Sequence, residues 1–146
     1  MITFGIFLEL ETLTYRDIRK FCLEAEKLGY TTFGCNDHWQ PFSDPSRTQQ
    51  ECWVVLAALA DATSTIRLGP LCTPVINRNP ALIAKMAATL DVMTEGRLEL
   101  GLGSGWNRSP FEAYGTAFPP ALERFQRLRE AVEVIRAMWT QEKATY

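Results

Sequence analysis

Two stretches of this sequence combine residue types that do chemistry with a backbone that would display them. The first is Thr31-Thr32-Phe33-Gly34-Cys35, an extended-type run that hands Asn36, Asp37, His38 and Trp39 to whatever lies at its end. The second is Arg97-Leu98-Glu99-Leu100-Gly101-Leu102-Gly103-Ser104-Gly105-Trp106-Asn107, an apolar run entering three glycines, a tryptophan and an asparagine. His38 is the single histidine, and imidazole is the side chain suited to proton exchange near neutral pH. Glycines at alternate positions bare one face of a strand, which suits close approach of a planar ligand. From the residues alone His38 is equally a strand-end cap bonded to Asp37, Asp37 equally a solvated loop residue, and Trp106 equally hydrophobic cover.

The elements that must position these residues follow from periodicity. Ile2 to Leu8 reads as an apolar strand covered on both sides. Thr14 with Asp17 opens a helix whose stripe is Ile18, Phe21, Cys22, Ala25 and Leu28, stopped by Gly29. The second strand spans residues 31–35, and a loop with two prolines spans 40–50. Val55, Leu56, Leu59 and Ala60 mark the next helix, with Trp53 in the core, and residues 66–71 the third strand. Asn79-Pro80 caps a helix with the stripe Leu82, Ile83, Met86, Ala87 and Leu90, ended by Gly96. Residues 97–102 form the fourth strand, and Phe125, Leu128, Val132, Ile135 and Trp139 mark a long amphipathic helix with Trp139 in the core.

Strand starts at 2, 31, 66 and 97 repeat at the size of one βα unit, and right-handed crossovers make the sheet parallel and sequential. The period alone leaves two architectures open, a small doubly wound sheet and half of an eight-unit barrel. A dinucleotide fingerprint would place its glycines after the first strand, whereas here they follow the fourth.

Composition narrows the partner. The formal charge is −2, and basic residues are scattered, which excludes a nucleic-acid or anionic-membrane footprint. The longest apolar run, Trp53 to Ala60, is far short of a membrane span, so a cytoplasmic protein with a small-molecule substrate is expected. Cys22, Cys35, Cys52 and Cys72 are widely spaced and read as reduced, mostly buried thiols with no metal site.

Four segments in order resemble the luciferase-like monooxygenase family, which includes flavin-dependent monooxygenases and deazaflavin (coenzyme F420) dependent oxidoreductases. They are Asn36-Asp37-His38-Trp39-Gln40-Pro41, Thr73-Pro74 with Arg78-Asn79-Pro80, Gly101 to Asn107, and Phe118-Pro119-Pro120 leading to Glu123-Arg124-Phe125. The resemblance implies an α/β fold of the TIM-barrel type. Residues 1–146 would be a single luciferase-like (β/α) domain, the first four βα units or half of a barrel. It also implies an oxidoreductase using F420, or FMN as the alternative, with hydride transfer to or from a small organic substrate. His38 would be the active-site acid. Asp37, Leu71, Cys72, Thr73, Ser104, Gly105, Trp106 and Asn107 would line the cofactor site, with a cis peptide bond between Leu71 and Cys72. Members that oxidise a sugar phosphate carry a glutamate base where this chain has Trp106, and the departure argues against that substrate. The competing expectation is a non-catalytic half barrel whose unpaired edges make it self-associate, and a homo-oligomer is expected on either reading.

Overall fold

The structure is a computed structural model that describes residues 2–42, 44 and 46–146; Met1, Ser43 and Pro45, from the first segment and the loop at 40–50, lie outside the described residues. In chain order the elements are β1 (Gly5–Leu8), α1 (Tyr15–Lys27), β2 (Thr32–Cys35), α2 (Cys52–Ala62), β3 (Arg67–Pro70), β4 (Thr73–Pro74), α3 (Pro80–Met93), β5 (Leu102–Gly103), α4 (Ser109–Ala113) and α5 (Ala121–Thr140).

β1, β2 and β3 are parallel and adjacent in that order, with Gly5 opposite Thr32 and Thr32 opposite Arg67. The third and fourth expected strands do not form one continuous ladder. Leu68 bridges to Leu98, and a separate parallel pair joins β4 to β5, with Thr73 opposite Leu102. The break has a local cause. Gly101 donates to Pro70 O (3.2 Å), and its carbonyl accepts from Thr73 N (2.8 Å), so Leu71 and Cys72 are passed over as a bulge. Leu71 N donates instead to Cys35 O (2.7 Å), and the Leu71–Cys72 peptide is cis.

The core lies between this sheet and α1, α2, α3 and α5, built on Ile18, Phe33, Leu56, Leu59, Leu68, Ile83 and Ile135. Among the described residues no helix covers the opposite face of the sheet. Gly5, Phe7, Thr32, Gly34, Gly69, Leu71, Glu99 and Gly101 line an open depression there, which argues against a doubly wound fold with helices on both faces. The first strand is therefore not covered on both sides as expected; its alternate residues are exposed, and Phe7 is 45% exposed.

Three helix stripes need correction. On α5, Ala131 and Ile135 are buried, while Phe125, Val132 and Trp139 are exposed. Trp139 is thus not core; it is 48% exposed and donates its indole N–H to Ala84 O of α3 (3.2 Å). Phe21 on α1, Leu28 at its C-cap and Leu82 on α3 are likewise exposed. In each helix the apolar arc is wider than the strip that its neighbours cover.

α1 begins with a reciprocal capping box. Asp17 N donates to Thr14 Oγ1 (3.2 Å), and Thr14 N donates to Asp17 Oδ2 (3.1 Å). Near its other end Glu26 ties down the entry to β3, accepting from the backbone N–H groups of Ser64 (2.9 Å), Thr65 (2.6 Å) and Ile66 (2.9 Å). Burial works against the Glu26 charge, but these bonds outweigh it and hold the carboxyl below its ordinary 4.5. Glu26→Ala is expected to cost about 1–2 kcal/mol at neutral pH, because Ile66 N would lose its acceptor while Ser64 and Thr65 regain water. With the folded value lowered, this contribution is complete above 4.5 and fades as pH falls through the folded value. Urea unfolding of both proteins at pH 7 and pH 3 measures it; a gap that persists unchanged at pH 3 would mean that the charge has no part.

All four cysteines are free. Burial pushes the Cys22 thiol up to about 12, and burial also raises Cys72. Cys52 is raised by its hydrogen bond with Cys35 (Sγ to Sγ 3.5 Å) and by burial. None of these three is poised as a thiolate near neutral pH.

Candidate active site

β2 ends at Cys35, and the next three residues turn away from the sheet. Asn36 is buried; its Oδ1 accepts from Leu10 N (2.8 Å), just past β1, and its Nδ2 lies 3.3 Å from His38 Nδ1. One side chain thus joins the exits of two neighbouring strands and holds the imidazole.

Asp37 is 1% exposed, and both oxygens of its carboxylate are occupied. Oδ2 accepts from Arg78 Nη1 (2.6 Å) and from Trp53 Nε1 (3.3 Å), and Oδ1 from Arg78 Nη2 (3.1 Å). Trp53 Nε1 is shared with Thr73 Oγ1 (3.1 Å), and Arg78 also pairs with Glu51, the cap of α2. A bidentate guanidinium is the partner that a buried carboxylate requires. Burial alone would lower the Arg78 pKa, but the bonds and charges of Asp37 and Glu51 outweigh it and raise it above its ordinary range. Residues after β2, β3 and β4 are thereby locked to the start of α2.

The glycine-rich segment faces this network. Gly105 has a φ of +80°, and a Cβ there would stand 2.8 Å from Ile76 Cδ1. A Cβ on Gly101 would stand 2.5 Å from Pro70 O, and one on Gly103 would stand 2.5 Å from Cys72 Sγ. A side chain at 101, 103 or 105 would thus collide with the chain itself, at 101 and 103 with the segment 70–72. Arg124 of α5 fixes the loop from behind. It donates to Gly105 O (3.1 Å) and Pro119 O (2.7 Å), with its guanidinium 4.3 Å from the centre of the Phe118 ring.

Asp37, His38, Trp39, Pro74, Asn77, Gly105, Trp106, Asn107, Pro110 and Phe111 line one cleft. The Trp106 ring lies edge-on to the His38 ring (6.1 Å between centres) and against Phe42 (4.9 Å), and it is 59% exposed. Among the described residues His38 Nε2 has no protein partner. Ser104 adjoins the cleft, and Thr73 lies beneath it, bonded through Trp53. Leu71 instead faces the depression on the open sheet face, and Cys72 packs against Gly103. Among the described residues no cluster of ligands could hold a metal ion, and no helix is long and apolar enough to cross a membrane.

The sequence profile described as luciferase-like monooxygenase matches residues 1–146. The chain belongs to the luciferase-like monooxygenase family. Its curated relatives include the F420-dependent glucose-6-phosphate dehydrogenase of Kineococcus radiotolerans, 38% identical over 86% of this chain and 37% of the relative. The protein of the same name from Intrasporangium calvum is 34% identical over 100% of this chain and 45% of the relative. Among solved structures, an F420-dependent secondary alcohol dehydrogenase bound to an F420-acetone adduct superposes with a TM-score of 0.88. Its sequence identity is 28%, over 97% of this chain and 43% of that one. The chain spans less than half the length of the curated relatives it matches.

Within this luciferase-like frame three residues of the site escape the sequence. Arg78 stands in a motif that names no partner for it, Asn36 reads as a bystander to His38, and Trp53 reads as core although its N–H belongs to the Asp37 network. A carboxylate at the end of an apolar strand signals that a cation must meet it. Which of the 15 lysines and arginines does so is set by the fold.

Proposed function

We propose that residues 1–146 are the first four βα units of a TIM-type barrel. On this reading the unit belongs to an F420-dependent oxidoreductase, with FMN as the alternative cofactor, that acts on a small organic substrate. The observation that carries the reading is the meeting of His38 with Gly105, Trp106 and Asn107 in one cleft. The relatives support the cofactor, since those described above are F420-dependent.

The residues fit a flat, partly polar ring. Exposed Trp106 offers apolar surface in the cleft, and exposed Leu71 offers it on the open sheet face. Ser104, Gly105, Trp106, Asn107 and the Leu71-Cys72 backbone would hold the cofactor. Asp37 and Thr73 act from beneath, fixing the rim through Arg78 and Trp53. A bound deazaflavin supplies a carbon that gives or accepts a hydride. The chain supplies the proton through His38, which lines the cleft and whose Nε2 has no protein partner among the described residues. Trp106 is neutral, so no second acid or base stands at that place, which supports a substrate other than a sugar phosphate.

A second reading, a non-catalytic unit that self-associates, is favoured by one observation. Among the described residues β1 pairs only with β2, and the segment 97–103 pairs only with β3 and β4, so both outer edges are bare. Titrating the chain with F420 and with FMN, followed by absorbance, with light scattering on the same samples, separates the two. Saturable F420 binding in preference to FMN is the expected result. Binding of FMN alone would overturn the cofactor, and association without either would favour the second reading.

A further inference from the structure

We infer that Asn36 is a positioning residue that holds His38 as the Nε2–H tautomer, so that the neutral imidazole presents a donor to the cleft. The inference deepens the proposed function, because it rests on His38 being the proton-donating group of that site. The argument starts from a backbone group whose chemistry admits no choice. Leu10 N–H is a donor, it is fully buried, and the atom 2.8 Å from it is the Asn36 amide oxygen. Turning the amide over would set an NH2 against that N–H, leaving a buried donor without an acceptor. Such a loss biases the orientation by about 10- to 100-fold.

With the oxygen committed to Leu10, the group that Asn36 turns to His38 is its NH2, 3.3 Å from Nδ1. An amide NH2 is a donor only, so Nδ1 must be the acceptor, and in a neutral imidazole the proton then resides on Nε2. Nε2 has no partner among the described residues and is free for a ligand. The charged group nearest in sequence, the Asp37 carboxylate, is bonded to Arg78 and Trp53 and, among the described residues, makes no bond to the ring. Trp106 meets the ring through its aromatic edge and offers no acceptor. The tautomer is thus set from Leu10, just past β1, through a side chain outside the proposed cofactor contacts.

The single histidine makes the test direct: the full chain, labelled with 15N at histidine and prepared without a histidine tag, gives one imidazole spectrum. At a pH where the ring is neutral, the expected spectrum has an unprotonated Nδ1 and a protonated Nε2. Asn36→Asp keeps an oxygen for Leu10 N–H but turns a second oxygen to the ring, and the proton is expected to move to Nδ1. A wild-type spectrum with Nδ1 protonated would overturn the inference, as would an Asn36→Asp spectrum identical to wild type in a protein that stays folded by circular dichroism. In the active protein, Asn36→Asp is expected to lower kcat by about 10²-fold or more with little change in cofactor affinity. A tautomer that switches while kcat holds would leave the role of Asn36 standing and remove His38 as the proton donor.

Discussion

Arg78→Leu is expected to destabilise the fold by about 3–5 kcal/mol, because it strands a buried carboxylate. Asp37 is 1% exposed, and Arg78, itself 12% exposed, supplies both of its charged contacts. Leucine restores apolar volume but no donor, which leaves Asp37 with one shared indole N–H. Replacing both residues, Asp37→Asn with Arg78→Leu, is expected to recover a substantial part of the loss, since a neutral amide can still accept from Trp53. Urea unfolding of the wild type, the two single variants and the double variant yields the cycle. A loss below about 1 kcal/mol in Arg78→Leu would show that water reaches Asp37, and the pair would then be no stronger than a surface bridge.

This pair also gives a residue with the sequence signature of a ligand contact a structural part in the fold. Asp37 stands next to His38 at a strand end, which the resemblance assigns to the cofactor site. In the fold its oxygens accept from Arg78 and Trp53, and the acid thereby fastens the rim to α2. The loss in Arg78→Leu is therefore expected without any cofactor in the sample.

What the sequence disclosed divides by the range of the interaction. The Thr14 and Asn79-Pro80 caps were legible because donor and acceptor lie within three residues, where helix geometry fixes their distance. The placement of His38 beside Gly105 followed from parallel strands ending on one rim. The rest depends on distant partners. Arg78 is 41 residues from Asp37, and nothing in either neighbourhood names the other. On α5 the period showed an apolar arc, but only α3 decides that Ala131 and Ile135 are covered while Phe125 and Trp139 are not. The glycines at 101 and 103 showed that something comes close; that Pro70 and Cys72 of the chain itself do so is a fact of strand register.

His38→Ala is expected to lower kcat of the active protein by about 10²–10⁴-fold while leaving cofactor affinity and stability nearly unchanged. Three observations separate these effects. Among the described residues the ring makes one protein hydrogen bond, to Asn36 at 3.3 Å, and its edge-on contact with Trp106 is distant, so its removal costs the fold little. The surfaces proposed to hold the cofactor, Trp106 and the backbone of 104–107, are fixed by Arg124 and by the turn at Gly105, not by the imidazole. Proton exchange has no substitute in the cleft: the other titratable group lining it is Asp37, whose carboxylate is already bonded to Arg78 and Trp53. Steady-state rates and cofactor titration on the variant decide among the roles. Full turnover would remove His38 as the acid, and weakened cofactor binding with normal turnover would make it a binding residue, with the proton supplied by water entering past Trp106.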